Sequence, residues 1–368
     1  MKIISRRTQK RLKDAFYTVA SHFISYFQEQ TYTSTGYKPK EITFHSLEPL
    51  AIVGRNRKLY IYEVNYSSEM GFHKSKLAIK VFDAMDKVLQ EASGNQILRY
   101  VLEGNPEVKT PQLLYYSKDF QLLIYEGLFA EEFSNSKINE SEKYYLAGRA
   151  LASVHNKELK NLDLQRYYMF VENIFNKLFD SNLIPSKTLE ELRDKIVSEI
   201  EEKMFYSYGG SRSFGDYHVG NIMFEQQTEK VRNLGLKSDK FQIFLIDPEF
   251  IEDCIENTCV DRFEDIGTFF AKILLEDFIK TAGKPKKVLN DLRDFLKGYN
   301  SIFERYKIKL KDMYPRGITL ELQMVFAILF DVLYYIGTSE NDEWLRSAIQ
   351  ARLSYIDYLF QYPFENSV

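Results

Sequence analysis

The chain has 368 residues, of which 45% are hydrophobic and 27% are charged. That length is too great for one ordinary domain and indicates a globular protein with two domains and a sizeable core. The formal net charge is −3. This does not favour nucleic acid as a partner, since proteins that bind nucleic acid carry a basic surface. The two cysteines, Cys254 and Cys259, are too few for a disulfide scaffold, so we expect buried thiols and a cytoplasmic location.

The N-terminal region predicts a helix and not a targeting segment. No apolar run follows its basic residues, which excludes a signal peptide. Arg6–Gln30 carries apolar side chains three or four residues apart and predicts an amphipathic helix. Thr31–Lys40, with a Gly and a Pro, predicts a linker or loop. We therefore treat residues 1–40 as a separate N-terminal segment.

The next part of the chain is rich in strand-forming residues. Polar turns separate the predicted strands Leu47–Val53, Leu59–Tyr66, Lys76–Phe82, Gln112–Tyr116 and Gln121–Tyr125. A helix is predicted at Asp86–Leu102, between the third and fourth strands. The pattern indicates an antiparallel sheet with one helix.

The remainder of the chain is mainly helical in pattern. Helices are predicted at Ser141–His155, at two stretches within Tyr167–Ser207, and at Phe269–Lys280, Lys287–Tyr306, Leu320–Ile336 and Glu343–Tyr362. The longest apolar run, Met324–Ile336, is too short to span a bilayer and contains Asp331, so we expect a core helix and no membrane partner.

Two short segments in this region carry the chemistry. The first, Ser213–Phe224, places Asp216 five residues before Asn221. The second, Phe244–Phe250, places Asp247 at the end of an apolar run. A D-x-x-x-x-N segment followed by a later Asp is typical of kinase-type phosphoryl transfer. In that pattern Asp216 accepts the proton of an attacking hydroxyl group, while Asn221 and Asp247 supply hard oxygen ligands to Mg²⁺.

These segments resemble those of the aminoglycoside phosphotransferase and choline kinase family. That family typically has H-G-D-x-H-x-x-N and I-D-x-E at these places. The matching residues here are Gly215, Asp216, His218, Asn221, Ile246, Asp247 and Glu249. Phe214 stands in place of the usual His, and Pro248 stands where Phe is common. The resemblance covers about residues 45 to 340 and is specific to the superfamily, not to a substrate.

The resemblance implies a nucleotide site on the first lobe. Lys80 occupies the position of the phosphate-binding Lys, and Glu91 on the following helix is the natural partner of its ammonium group. The loop that begins at Gly54 is expected to cover the ATP phosphates, and Glu126 and Leu128 lie in the hinge that binds adenine. Three alternatives stay open: an outward-facing Lys80, a solvent-facing Glu91 and a solvated charged hairpin at residues 54–58.

The resemblance also implies supporting residues and an acceptor site. His218 and Asp265 are expected to support the catalytic loop, although a plain helix N-cap would also explain Asp265. His155 is more consistent with packing than with catalysis. The acidic segment Glu249–Asp265 allows an amine-bearing acceptor, and a solvated acidic loop is the alternative.

The resulting prediction is an α+β protein-kinase-like fold of two lobes. Residues 41–126 form the sheet lobe and residues 127–368 the mainly helical lobe. The expected reaction moves the γ-phosphoryl group of ATP, with Mg²⁺, to a hydroxyl group of a small molecule. The candidate acceptors are aminoglycosides, choline or ethanolamine, sugars and amino-alcohols.

Two other functions remain open. One is a protein Ser/Thr kinase, although the chain lacks the H-R-D, D-F-G and A-P-E segments and the triple-glycine loop of that class. The other is a pseudokinase that binds nucleotide or a protein partner without catalysis. The glycine-poor phosphate loop and Phe214 are consistent with this alternative. Magnesium-dependent turnover of ATP distinguishes the latter from an enzyme.

Overall fold

The computed structural model describes residues 6–53, 58–155, 164–203, 210–226, 241–248, 250–251, 259–281, 289–303, 308, 320–338 and 342–361. The chain forms two compact units. The first, which we call the sheet unit, comprises Met1–Tyr100, Lys109–Glu131 and Glu225–Glu249. The second, the helical unit, comprises Val101–Val108, Glu132–Phe224 and Phe250–Val368. Gly54, the predicted phosphate-loop residue, lies outside the described residues.

The sheet unit is built on five antiparallel strands. These are Thr43–Val53, Lys58–Ser68, Gly71–Val81, Leu113–Ser117 and Leu122–Glu126. The first three lie side by side in chain order, the last strand pairs with the third, and the fourth lies at the edge. A further strand, Phe241–Leu245, is buried along its whole length. The helices of the sheet unit are Arg6–Val19, Ile24–Thr35 and Met85–Val101, with a 3-10 turn at Ala20–Phe23.

The two faces of this sheet have different covers. In the third strand, Leu77 and Ile79 point to a core that also contains Phe16 and Phe27 of the N-terminal helices. Ala78, between them, belongs to the opposite cluster, which contains Val88 of the Met85–Val101 helix. This follows from the period of two along a strand. Lys80 is two residues after Ala78 on the same strand, so its side chain lies on the same face of the sheet as that of Ala78 and faces the Met85–Val101 helix.

The N-terminal helices differ from their predicted role. Instead of forming a separate segment, they cover one face of the sheet, and Phe16, Phe23 and Phe27 are at most 2% exposed. The physical reason is that a sheet with apolar residues on both faces needs a cover on each. The helix also runs further than predicted, to Thr35, and ends where Gly36 adopts a φ of 75°.

The helical unit contains seven α-helices among its described residues. They are Glu140–Val154, Leu164–Ser181, Ser186–Lys203, Phe263–Lys280, Leu289–Ile302, Leu320–Thr338 and Asp342–Gln361. Gly210–Ser211 pairs with Val260–Asp261 in a small antiparallel ladder. Short strands also occur at Val108–Lys109, Glu131–Glu132 and Ile222–Gln226, and a 3-10 turn at Val219–Asn221.

Two helices of this unit cross at glycines. A Cβ atom built on Gly148 would lie 1.9 Å from the carbonyl oxygen of Phe295, and one built on Gly298 would lie 1.9 Å from that of Tyr145. The Glu140–Val154 and Leu289–Ile302 helices therefore approach each other through their backbones, and neither position has room for a side chain.

One helix in the described part of the chain is long and apolar enough to cross a membrane by length and composition alone. It contains Leu320–Gly337, and half of that window is buried inside the protein. Its Asp331 accepts two hydrogen bonds from Arg352, at 2.8 Å and 2.6 Å, and Met324 and Val325 are fully buried. These contacts are those expected of a core helix in the helical unit.

One cysteine differs from the expected thiol. Cys259 is buried and disulfide-bonded. The chain has one other cysteine, Cys254, which lies outside the described residues.

Candidate active site

The sheet unit brings together three predicted site residues. The Lys80 ammonium group pairs with the Glu91 carboxylate and also donates to Asp247 Oδ1 at 2.5 Å. Strand alternation directs Lys80 toward the Met85–Val101 helix, whose inner face contains Glu91. Lys80 is 6% exposed and Glu91 is 2% exposed. Both side chains are therefore buried, and the alternatives of an outward-facing Lys80 and a solvent-facing Glu91 do not hold.

The environment of Glu91 disfavours its charge. Burial raises the pKa of the Glu91 carboxyl group, and the Lys80 ammonium group acts against this change. Tyr125 donates a hydrogen bond to Glu91 Oε1 at 2.9 Å and occupies its second oxygen. A buried ion pair of this kind is stable only when further hydrogen bonds satisfy it, which is the role of Tyr125. The sequence reasoning did not identify Tyr125.

Asp247 follows the buried Phe241–Leu245 strand in an unusual backbone conformation. Its φ is 62°, in the left-handed region that non-glycine residues seldom adopt. Such strain is found at functional sites, where the surrounding structure holds the residue in place. Here the strand and the contact with Lys80 fix the Asp247 carboxylate, which is 23% exposed on its side chain.

The hinge residues end the last strand of the sheet. Glu126 exchanges hydrogen bonds with Gln112, through its backbone amide at 3.0 Å and its carboxylate at 2.8 Å. The Gly127 amide donates to Lys76 O at 2.9 Å, and a Cβ on Gly127 would meet Lys76 at 2.3 Å. Close packing on the neighbouring strand thus requires this glycine. Leu128 is the next residue and follows the end of the paired strand.

In the helical unit, Asp265 holds the backbone of the catalytic loop. Its carboxylate accepts from the Phe214 amide at 2.7 Å and from the Gly215 amide at 2.9 Å. Ser213 Oγ adds a third hydrogen bond at 3.2 Å. The Phe263–Lys280 helix begins two residues earlier, and Arg262 occupies its N-cap position. Asp265 therefore bonds the loop and not its own helix end.

A buried histidine supports this carboxylate. His155 Nε2 lies 3.1 Å from Asp265 Oδ2, and His155 Nδ1 lies 2.7 Å from the Tyr299 hydroxyl group. Burial lowers the pKa of His155, which favours the neutral ring. Because an ionised carboxylate only accepts hydrogen bonds, Nε2 carries the proton and Nδ1 accepts from Tyr299. His155 acts in support of the loop.

Replacement of Asp265 by Asn is expected to destabilise the protein by about 1–3 kcal/mol, because the Phe214 and Gly215 amides bond to different carboxylate oxygens and the NH2 group of Asn would leave one of these buried donors unpaired. The free energy of unfolding in urea measures this. Glu276→Gln on the same helix is the control, since Glu276 is exposed and forms a surface pair with Lys280. Equal stability of the two variants would contradict the inference that Asp265 stabilises the loop backbone.

The catalytic loop positions Asp216 between two nitrogen donors. Lys272 Nζ donates to Asp216 Oδ1 at 2.8 Å, and His218 Nε2 lies 3.4 Å from Oδ2. Burial acts to raise the pKa of Asp216, but the hydrogen bond from His218 and the charge and hydrogen bond of Lys272 outweigh it, so the pKa lies below its ordinary value. Asp216 is therefore ionised and has a fixed orientation.

Neighbouring residues determine the shape of this loop. The Gly220 amide donates to His218 Nδ1 at 3.0 Å, so the other ring nitrogen, Nε2, carries the proton that faces Asp216. A Cβ on Gly220 would lie 2.8 Å from the His218 ring, which explains the glycine. Tyr217 is fully buried and donates to Ala147 O at 2.6 Å, which anchors the residue after Asp216.

The side chain of Asn221, a predicted metal ligand, is hydrogen-bonded to the backbone of the loop. Its side-chain nitrogen donates to Asp216 O at 3.0 Å, which turns the amide oxygen away from the loop backbone. An amide oxygen is a hard oxygen donor of the kind that Mg²⁺ takes. The described residues contain no cluster of three or more His, Cys, Asp or Glu that suggests another metal site.

Lys272 is a site residue that the sequence analysis missed. It lies seven residues after Asp265, two helical turns along the Phe263–Lys280 helix, and so on the same face. Since Asp265 binds the start of the catalytic loop, a side chain two turns further on is placed to reach Asp216. That spacing was a usable signal.

The described acids of the segment Glu249–Asp265 make contacts inside the protein. Asp261 Oδ1 accepts from the Phe263 amide at 2.9 Å, and Glu264 contacts Tyr167 and Arg166 at 3.4 Å and 3.9 Å. Asp265 binds the loop, as described above. The other four acids of the segment, Glu249, Glu252, Asp253 and Glu256, lie outside the described residues.

Comparison with known proteins rests on structure. Neither the protein-family models nor the curated protein sequences give a match to this chain. A Plasmodium vivax ethanolamine kinase has a TM-score of 0.55 and 12% identity, with 89% of this chain and 83% of that chain covered. A choline/ethanolamine kinase family protein from Mesorhizobium loti has a TM-score of 0.52 and 11% identity, with 88% and 90% covered.

A microcompartment-associated aminopropanol kinase has a TM-score of 0.51 and 12% identity, with 86% of this chain and 93% of that chain covered. Identities this low establish the fold and not the substrate. The predicted α+β class, with an antiparallel sheet in one unit and helices in the other, is confirmed. The chain has the protein-kinase-like fold that these ethanolamine, choline and aminopropanol kinases share.

Proposed function

We propose that the protein is an ATP-dependent phosphotransferase that moves the γ-phosphoryl group to a hydroxyl group of a small molecule. The observation that carries the proposal is the buried cluster of Lys80, Glu91 and Asp247. A buried ammonium group with two carboxylates is costly for a protein to maintain without a use. Phosphoryl transfer supplies that use, because it needs a fixed cation at the phosphates and carboxylates at the metal.

The proposed roles combine the contacts described above with the roles that the sequence resemblance implies. Lys80 binds ATP phosphate oxygens, and Glu91 keeps its ammonium group in position. Asp247 and Asn221 hold Mg²⁺, which neutralises the charge on the phosphates when bound. Leu128 and the backbone near Glu126 bind adenine. Asp216 orients the acceptor hydroxyl group and takes its proton, and most of the rate comes from this positioning.

The proposal covers several classes of acceptor molecule. The structural neighbours are described as kinases of ethanolamine, choline and aminopropanol. Aminoglycosides and sugars are further candidates from the sequence resemblance. The pairing of buried Lys80 with Glu91 supports an enzyme over a pseudokinase.

Magnesium-dependent nucleotide binding tests the proposal. We expect ATP with Mg²⁺ to raise the melting temperature, because a ligand that binds only the native state stabilises it by about 2.7 kcal/mol at 100 times its Kd. Lys80→Met is expected to remove most of this shift. Lys74→Met is the control, since Lys74 lies on the same strand, is 69% exposed and pairs with Glu63.

The melting temperature of each variant without nucleotide separates lost binding from lost stability. A wild-type protein whose melting temperature responds to no nucleotide, with or without Mg²⁺, would contradict the proposed function. Transfer of labelled phosphate from ATP to a panel of hydroxyl compounds then identifies the acceptor.

A further inference from the structure

Lys272 places a positive charge at the residue proposed to receive the acceptor hydroxyl group. Its ammonium nitrogen lies 2.8 Å from Asp216 Oδ1, and 36% of its side chain is exposed. An ammonium group has three hydrogen-bond donors. Among the described residues Lys272 Nζ donates to Asp216, and one bond to Asp216 leaves further donor capacity on the ammonium group of a partly exposed side chain.

An acceptor molecule must come close to this nitrogen. An acceptor hydroxyl oxygen that bonds to Asp216 lies roughly 2.7 Å from a carboxylate oxygen. Lys272 contacts the same carboxylate group. Two groups that bond to one carboxylate lie roughly 3–6 Å apart at those bond lengths. A substituent on the carbon next to the reacting hydroxyl group is therefore within reach of Lys272.

The charges of the described residues around Asp216 do not favour an amine group beside the reacting hydroxyl group of the acceptor. Lys272 and His218 already offer N–H groups to the two carboxylate oxygens, so Asp216 presents little unbalanced negative charge to an acceptor ammonium group. Among the described residues of the acidic segment, Asp261, Glu264 and Asp265 make contacts within the protein. An acceptor ammonium group beside the hydroxyl would instead meet the like charge of Lys272.

We propose that the acceptor carries an anionic group, a carboxylate or a phosphate, next to its reacting hydroxyl group, and that Lys272 binds that anion. This inference rests on the proposed phosphotransferase function and specifies its substrate class. In the reaction, the acceptor oxygen bonds to the γ-phosphorus while the bond from that phosphorus to the bridging oxygen breaks. ADP leaves, and the hydroxyl proton passes to Asp216.

Three probes of equal carbon skeleton test the charge preference. Glycerate, glycerol and 3-amino-1,2-propanediol each have three carbons and two neighbouring hydroxyl groups, and their third carbon is a carboxylate, carries a third hydroxyl group or carries an ammonium group, respectively. With the full chain, ATP and Mg²⁺, we expect kcat/KM for glycerate to exceed that for the amine by roughly tenfold or more, because a hydrogen bond to a charged group is worth that factor. Glycerol 3-phosphate distinguishes a phosphate from a carboxylate preference.

Variants of Lys272 separate acceptor recognition from general support of Asp216. Lys272→Met is expected to remove the preference for the anion, mainly through a higher KM for glycerate, and Lys272→Arg to restore part of it. Lys280→Met is the matched control on the same helix, since Lys280 is 72% exposed and pairs with Glu276. Its ratio of kcat/KM values is expected to equal that of the wild type.

Two results would overturn the inference. One is a wild-type enzyme that prefers the amine to glycerate. The other is a Lys272→Met variant that loses the same factor of kcat/KM on every acceptor, which would assign Lys272 to Asp216 or to the transferred phosphoryl group.

Binding provides a measurement that does not depend on turnover. With Mg²⁺ and a non-hydrolysable ATP analogue bound, the anionic probes are expected to raise the melting temperature of the wild type further, and not that of Lys272→Met. Absence of this further rise in the wild type refutes the inference. Absence of any response to the nucleotide itself refutes the proposed function instead.

Discussion

Replacing Asp216 by Asn is expected to lower kcat by roughly 10²- to 10⁴-fold, the usual contribution of a positioned acid or base. An amide cannot take the proton, and its NH2 group would face either Lys272 or His218, which are themselves donors. The acceptor hydroxyl group then loses both its proton acceptor and its orientation. Release of ADP in a coupled assay measures the change.

Nucleotide binding by the Asp216→Asn variant is expected to stay near normal, because the proposed phosphate contacts come from Lys80 and the metal ligands. Asp247→Asn provides the contrast. It removes a carboxylate that contacts Lys80 and is proposed to hold Mg²⁺, so the magnesium-dependent rise in melting temperature is expected to fall as well. Asp357→Asn, at an exposed position of the last helix, is the control. Full activity of Asp216→Asn on a verified acceptor would refute the assigned role.

Replacing Gly148 by Ala is expected to destabilise the helical unit by about 1–3 kcal/mol or more, as overpacking of a close-packed core does. The new methyl group would lie 1.9 Å from Phe295 O and 2.8 Å from the Phe295 carbonyl carbon. Because these are backbone atoms, the two helices must separate, and this outweighs the gain of about 1 kcal/mol from replacing a helical glycine. Unfolding in urea gives the change in free energy.

The reciprocal contact provides a stronger test of the helix crossing. Gly298→Ala is expected to have a similar cost, and the double variant to cost less than the sum of both, since helices already separated by one methyl group accommodate the second. Gly337→Ala is the control, because Gly337 is helical and has no atom within 4 Å of an added Cβ. That variant is expected to be neutral or more stable. Additive costs for Gly148 and Gly298 would show that the two contacts are independent.

The largest difference between prediction and structure lies at the N-terminus. The helical spacing of residues 6–30 correctly indicated a helix with one apolar face, but spacing does not specify what covers that face. Only the tertiary structure assigned Phe16, Phe23 and Phe27 to the core beneath the sheet. The partners, Leu47, Tyr62 and Leu77, lie dozens of residues away, and such contacts depend on how the whole sheet folds.

The active-site pairs differ in how far the sequence could specify them. Lys80 and Glu91 are eleven residues apart, on a strand and the helix after it, so short-range geometry limits where each side chain points. By contrast, Asp216 and Lys272 are 56 residues apart and His155 and Asp265 are 110 residues apart. No local pattern constrains the pair His155 and Asp265, and the spacing of Asp265 and Lys272 indicates Lys272 only if Asp265 binds the catalytic loop.

By itself, the sequence determined the α+β class, the order of the strands and helices, and the residue types available for phosphoryl transfer, because these depend on local periodicity and on short motifs. The tertiary structure decided which charge stands beside Asp216. A lysine seven residues after Asp265 reaches the catalytic loop only because Asp265 binds that loop to the same face of the helix. Electrostatic interactions depend on distance in space, and distance in space is a property of the folded chain.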